Sequence, residues 1–207
     1  MISIINYGIG NLESIVRAFR QCTDDAVLAT DPEQVEQAHH IVLPGVGSFG
    51  KAMDYLRASP LFPVLLHKVL AEKTPVLGIC LGYQMFTKHS DEGDCAGLGW
   101  IDAVTRRLRI EQSEHPLKTP HMGWNDLTHQ KESPLFNNIH AASCFYFAHS
   151  YCVQCADADA VLTETTYGQD FVSAVHKDNI FGTQFHPEMS HANGLQLIRN
   201  FIGYRHE

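Results

Sequence analysis

The residues Thr74-Pro75-Val76-Leu77-Gly78-Ile79-Cys80-Leu81-Gly82-Tyr83-Gln84-Met85-Phe86 constrain the fold more than any other stretch of this chain. A short apolar run enters a turn with a glycine two positions either side of a cysteine, and Leu81 and Met85 then resume at helical spacing. The pattern predicts a strand, a sharp elbow and a helix. Such an elbow presents its central side chain from strained backbone and needs small neighbours, so that chain and substrate can approach closely. Gly78 and Gly82 supply that room, and the start of the following helix favours the thiolate of Cys80. Taken alone, the pentapeptide fits a buried strand-end thiol equally well.

The residues before the elbow repeat its rhythm. Residues 2–6 are apolar on both sides, as in a strand covered by helices on both faces, and Leu12, Ile15, Val16 and Phe19 then fit one helix face. Between them lies Tyr7-Gly8-Ile9-Gly10-Asn11. Its Gly-x-Gly lacks the third glycine of a dinucleotide fingerprint and reads as a tight turn at a strand end. A strand follows near Ala26–Thr30, and Asp31-Pro32 opens a short helix. A third strand, His40–Leu43, ends in Pro44-Gly45-Val46-Gly47-Ser48-Phe49-Gly50. That loop either leaves backbone N–H groups free for an anion or is an ordinary strand-to-helix connection. Helices around Ala52–Leu56 and Phe62–Leu70 lead into the elbow strand. This alternation predicts an α/β fold with an open, doubly wound, mixed but mostly parallel sheet and helices on both faces. Ligands of such sheets bind beyond the carboxyl ends of the strands, where Asn6–Asn11, Pro44–Gly50 and Cys80 all fall.

Residues 89–100 read as a polar loop. Beyond them come short strands, Ala103–Ile110, Gly123–Thr128, Cys144–Val153, Ala160–Thr165, Phe171–His176 and Ile180–Phe185, which predict a smaller antiparallel part in the second half. Leu195, Leu197, Ile198, Phe201 and Ile202 mark a closing helix. With 207 residues, 44% of them hydrophobic, and no linker, residues 1–207 are expected to form a single domain. A net charge of −8 with no basic run longer than Arg106-Arg107-Leu108-Arg109 argues against a nucleic-acid partner. No apolar segment approaches the roughly 20 residues that span a bilayer, and Met1–Ile5 reads as a strand without a basic leader, so no membrane association and a cytoplasmic location are expected. Six cysteines in a chain of this length read as reduced thiols rather than a disulfide framework.

A catalytic thiol needs a base, and the base an orienting partner. The strand Ile180–Phe185 runs into His186-Pro187-Glu188, where an imidazole suited to proton transfer has a carboxylate two residues on and a proline stiffening the turn. His-x-Glu also occurs as a metal pair, but no compact third and fourth ligand accompanies it. Cys152-x-x-Cys155 lacks a second cysteine pair, so no metal and no cofactor are expected. His39, His40, His115, His121 and His129 read as scattered polar residues.

Gly-Ile-Cys-Leu-Gly-Tyr-Gln at 78–84 together with Gln-Phe-His-Pro-Glu at 184–188 resembles the class I, or triad, glutamine amidotransferases, whose fold is flavodoxin-like. Asn6–Leu12, Leu43–Gly47, Pro120-His121-Met122-Gly123-Trp124-Asn125 and Tyr146–Tyr151 look like those members that serve as glutaminase subunits of imidazole glycerol phosphate synthase. The resemblance implies that Cys80 attacks the side-chain amide of L-glutamine, with His186 as acid and base and Glu188 orienting it. It implies oxyanion donors at Leu81 and Val46, and glutamine contacts at Gly47, Gln84, Ser150 and Tyr151. Released ammonia has to be handed on, and this chain has no room for a (β/α)₈ synthase of about 250 residues. The implied partner is a separate HisF-type (β/α)₈ cyclase in a heterodimer, with Asn11, Trp124 and Tyr146 as interface positions. Core packing is the other reading of Trp124. Members of this group often carry Lys or Arg after the Glu of His-Pro-Glu, where this chain has Met189, which bears on docking rather than chemistry. The alternatives are a glutaminase of the same build feeding another acceptor, such as one in surface-sugar synthesis, a stand-alone thiol hydrolase, and a non-catalytic binding module.

Overall fold

The computed structural model describes residues 1–8, 12–110 and 117–206. In chain order the elements of the first half are β1 (Ile2–Ile5), α1 (Leu12–Arg20), β2 (Ala26–Ala29), α2 (Pro32–Glu36), β3 (His40–Leu43), α3 (Phe49–Ala58), α4 (Phe62–Leu66, continued by a π-turn), β4 (Val76–Ile79) and α5 (Leu81–Gln84). Then come β5 (His89–Ser90), β6 (Cys95–Ala96), β7 (Ala103–Arg107), β8 (His121–Asp126), β9 (Thr128–His129), β10 (Cys144–His149), β11 (Tyr151–Cys155), β12 (Val161–Thr166), β13 (Asp170–Lys177), β14 (Ile180–Thr183) and α6 (His191–Gly203).

A 12-stranded sheet runs in the order β2-β1-β3-β4-β14-β13-β11-β7-β5-β6, with β12 beside β13 and β9. The pairs from β2 to β14 are parallel, and those from β14 through β13 and β11 to β7 are antiparallel. β8 and β10 form a separate antiparallel ribbon. The doubly wound first half and the antiparallel second part are therefore as the sequence pattern predicts.

Every residue of β1, β3, β4 and β14 is buried, because helices cover both faces. Ile5, Ile41, Leu43 and Val76 face one layer, packed on Val35 of α2, Met53 and Leu56 of α3 and Leu65 of α4. Ile4, Val42, Leu77 and Ile79 face the other, packed on Ile15 and Phe19 of α1 and Leu197, Ile198 and Phe201 of α6. The alternation of neighbouring residues between the two layers is the two-residue period of a strand. α2 starts where expected, since the Asp31 side chain accepts from Gln34 N at 3.1 Å and Pro32 lies in the first turn.

Three expectations need correction. The polar loop at 89–100 contains the β5–β6 hairpin, whose two-residue strands are too short to show a pattern. The single strand expected over Cys144–Val153 breaks at Ser150, passing from the ribbon (β10) into the large sheet (β11); apolar residues continue across the break, so composition does not mark it. His40 and His121 are not surface residues but are 3% and 2% exposed, with His40 Nε2 2.9 Å from the Tyr204 carbonyl. Cys152 and Cys155 both sit on β11, and a spacing of three turns them to opposite faces.

Candidate active site

The parallel strands deliver their carboxyl ends to one place. β4 ends at Cys80, whose φ of 52° and ψ of −108° are outside the regions open to ordinary side chains without strain. The neighbouring strand holds it there: Cys80 N donates to Thr183 O at 2.7 Å. The flanking glycines are there for space. A Cβ on Gly82 would lie 1.8 Å from the Leu43 carbonyl oxygen, and one on Gly78 would lie 2.6 Å from the Phe86 ring. The helix that follows has only four residues, so its dipole adds little at the sulfur; the side chains around Cys80 matter more.

β14 carries the base. Gln184 leaves the strand, and His186 and Glu188 stand on the next turn, with His186 Nδ1 2.8 Å from Glu188 Oε1. His186 N donates to Tyr146 O at 2.8 Å, and the Ser190 hydroxyl donates to His186 O at 2.6 Å, which fixes the imidazole's backbone from both sides. Burial alone pushes this ring toward its neutral form. Its hydrogen bonds and charge interactions with Cys80 and then Glu188 outweigh that and hold it well above the usual histidine value. The arrangement favours a protonated imidazole between the Cys80 sulfur and the Glu188 side chain.

A cleft of about 270 Å³ opens over Cys80. Of the residues expected in the site, Val46, Gly47, Leu81, Gln84, Ser150 and Tyr151 all line it. Gly47 has φ of 101°, a conformation that only glycine adopts at low cost, and it turns the 44–47 loop toward Leu81. The loop is pinned from below by the Tyr7 hydroxyl, which donates to Pro44 O at 2.8 Å. Burial, with Cys80 close by, keeps that phenol protonated far above its ordinary range. A larger open groove of about 620 Å³ beside residues 129–141 contains no thiol and lies away from these strand ends.

Trp124 and Tyr146 are opposite each other on the β8–β10 ribbon, and the Tyr146 carbonyl bonds the His186 backbone. Trp124 is 47% exposed and stacks on His191 at 4.9 Å, so it is not a core residue. Met122, two positions away on the same strand, and Met189, one residue past Glu188, are also exposed apolar side chains. Asn11 lies outside the described residues.

The sequence reading missed three polar residues here. Glu92, in the turn of the β5–β6 hairpin, lines the cleft while its Oε2 accepts from Phe49 N at 2.9 Å. Nothing local marks it, because its reach depends on the hairpin. His149 also lines the cleft, with its Nδ1 2.8 Å from Tyr151 O. Gln184 lies inside a motif that was read for its histidine and glutamate, and touches Cys80 directly.

Comparison with known proteins places this geometry in a family. The model described as glutamine amidotransferase class-I matches residues 3–203. The chain is 46% identical to imidazole glycerol phosphate synthase subunit HisH 2 of Methanococcus maripaludis and 44% identical to the HisH 2 protein of Pseudomonas aeruginosa, each over 98% of both chains. It is 40% identical to HisH of Leptospira interrogans over 97% of this chain and 98% of that one. Among solved structures, a glutamine amidotransferase superposes with a TM-score of 0.73 at 16% identity, and PurLQS from Thermotoga maritima with 0.73 at 17%, each covering 98% of this chain and 97% of the other; both speak to the fold alone. The chain belongs to the class-I glutamine amidotransferases and, within them, to the HisH subunits of imidazole glycerol phosphate synthase.

Proposed function

We propose that this chain acts as one catalytic unit that hydrolyses L-glutamine and passes the ammonia to a HisF-type (β/α)₈ cyclase in histidine biosynthesis. The observation that carries the chemistry is the line from Cys80, which lines a cleft sized for an amino acid, through His186 to Glu188, closed by the 2.8 Å contact between the last two. The thiolate of Cys80 forms a bond to the side-chain amide carbon, and the carbonyl electrons move to oxygen. When they return, the C–N bond breaks and His186 gives its proton to the departing ammonia. Water, deprotonated by His186, then cleaves the thioester and releases glutamate. Leu81 N–H and a donor from the 44–47 loop at Val46 receive the oxyanion, each worth roughly 3 kcal/mol by analogy with comparable sites. Gln84, Gly47, Ser150 and Tyr151 hold the amino-acid end, and the Glu92 carboxylate matches its ammonium.

Ammonia lost to bulk water is protonated and no longer a nucleophile, so release must be coupled to a consumer. The exposed apolar side chains of Met122, Trp124 and Met189, together with Tyr146, are the surface offered to the cyclase. Among the described residues no helix is long and apolar enough to cross a membrane. The test is glutamate release by this chain in isolation, with a HisF-type cyclase, and with cyclase plus its ribulotide substrate. Cys80→Ala is expected to remove turnover in all three. Turnover surviving in that variant rejects the nucleophile; strong turnover without the cyclase points to a free-standing hydrolase, and stimulation without imidazole product to a different ammonia acceptor.

A further inference from the structure

Gln184 is fully buried, immediately after β14, and has no task in the steps above. Its Nε2 lies 3.6 Å from Cys80 Sγ. Its Oε1 is 3.0 Å from Gln84 Nε2, and the same Gln84 nitrogen is 2.8 Å from Tyr151 O. Hydrogen-bond capacity fixes the direction of this chain. A backbone carbonyl only accepts, so Gln84 turns its amino group to Tyr151. The second hydrogen of that group needs an acceptor, so Gln184 turns its oxygen to Gln84. The amino group of Gln184 is then left facing the sulfur. Flipping Gln184 would set two amino groups against each other and a carbonyl oxygen against the thiolate, at a fully buried position.

We propose that Gln184 is a further catalytic residue, whose buried side-chain N–H donates to the Cys80 sulfur and holds it ready for attack in an orientation locked by Gln84 and Tyr151. The inference rests on the reading of Cys80 as the nucleophile. Both ends of the contact are anchored on adjacent strands, since Cys80 N bonds Thr183 O at 2.7 Å and Gln184 N bonds Ser173 O at 2.8 Å. Besides His186, the sulfur also faces the Ala148 carbonyl at 3.9 Å, which accepts from a thiol but repels a thiolate. The titratable groups around it are His186 with Glu188 beyond it, Tyr7 from the end of β1, His149 from the end of β10, and Glu92 across the cleft. Of these, only His186 brings a positive charge. A neutral amide cannot exchange a proton with the thiol, so its N–H favours the anion without competing for the proton that ammonia needs.

The test uses the full chain with Gln184→Met, which keeps length and apolar packing but has no N–H, and Gln184→Glu, which keeps the acceptor for Gln84 and the shape but faces the sulfur with an oxygen. Iodoacetamide labelling of Cys80, followed by mass spectrometry of its peptide across pH, reads the thiolate directly; glutamate release gives kcat and KM. The Met variant is expected to move the midpoint of the labelling profile up by about one pH unit and lower kcat about tenfold, with KM changed far less. The Glu variant, nearly isosteric with glutamine, is expected to move it further in the same direction over the pH range in which its carboxylate is ionised. A labelling profile identical to that of the parent protein in a folded Glu variant overturns the proposal. Full glutaminase activity in parent protein already alkylated at Cys80 would instead reject the nucleophile assignment on which it rests.

Discussion

Two buried histidine regions flank the same cleft, and burial has opposite outcomes in them. On the β8–β10 ribbon, His121 Nδ1 lies 3.0 Å from His149 Nε2, and His149 turns its Nδ1 to the Tyr151 carbonyl. That carbonyl only accepts, so His149 carries its proton on Nδ1 and its Nε2 accepts from His121. His121 is stacked between Tyr167 at 3.9 Å and Phe147 at 4.8 Å. Burial pushes His121 down to about 4 and His149 down to about 3, and among the described residues no carboxylate offsets it at either ring. His186 is as buried, yet Cys80 and Glu188 raise it well above its ordinary value. Burial therefore selects the neutral ring by default, and an anion on each side is what makes a buried histidine an acid. Within one cleft the chain keeps a structural imidazole and the proposed catalytic one distinct by their partners alone.

The largest test of that contrast removes the anion. Glu188→Gln keeps the shape of the turn but replaces the acceptor at His186 Nδ1 with an amide, so the ring loses both its charge stabilisation and its enforced tautomer. Glutaminase kcat is expected to fall by about 10³-fold or more, as in related triads, while the thermal midpoint changes little. A fall of less than tenfold in glutamate release would show that His186 does not depend on Glu188.

How much of this was legible in the sequence follows from distance along the chain. The elbow and the His-Pro-Glu turn are local: a thiol between two glycines at a strand end, and an acid–base pair three residues long, carry their geometry with them. The parallel half was legible for the same reason, because strands buried on both faces are apolar throughout. His121 was read only as a scattered polar residue because its partners are 28 residues away on β10 and beyond, and a histidine followed by exposed Met122 has no local sign of burial. Gln184 and Glu92 were silent because a side-chain amide or carboxylate acquires a role only from what it faces, here a sulfur 104 residues away and a cleft reached by a hairpin.

The neutral pair predicts an acid weakness. Unfolded histidines take up protons below about pH 6.5, but the folded His121 and His149 refuse them until about pH 4 and about pH 3. Stability conferred by the pair is complete above pH 6.5 and is lost as pH falls toward those values, on the order of 2 kcal/mol per ring by pH 5. His186 runs the other way: its contribution is complete below pH 6.5 and fades as pH climbs through its raised folded value. Urea midpoints between pH 7.5 and 5 should therefore decline on the acid side. In His121→Phe, which keeps the stack on Tyr167 and Phe147, that decline should flatten by about one proton, at a cost of about 1–2 kcal/mol at pH 7 for the acceptor left unpaired on His149. An unchanged slope would mean that His121 is not held neutral.

The smallest effect is expected from surface charge. Met189 is 47% exposed, one residue past Glu188, and Met189→Lys places an ammonium in solvent near the triad. If the buried contacts with Cys80 and Glu188 set the state of His186, that charge is screened and its consequences are small: less than about 0.5 kcal/mol in stability and less than about twofold in the isolated chain's kcat, with the acid limb of the pH–rate profile displaced by no more than roughly 0.3 units. The same substitution alters the surface proposed to meet the cyclase, so titrating the partner with the Lys variant separates the two proposed roles of this turn. A displaced pH–rate profile in the isolated chain would place the control of His186 at the surface; a change confined to partner affinity would leave it with the buried pair.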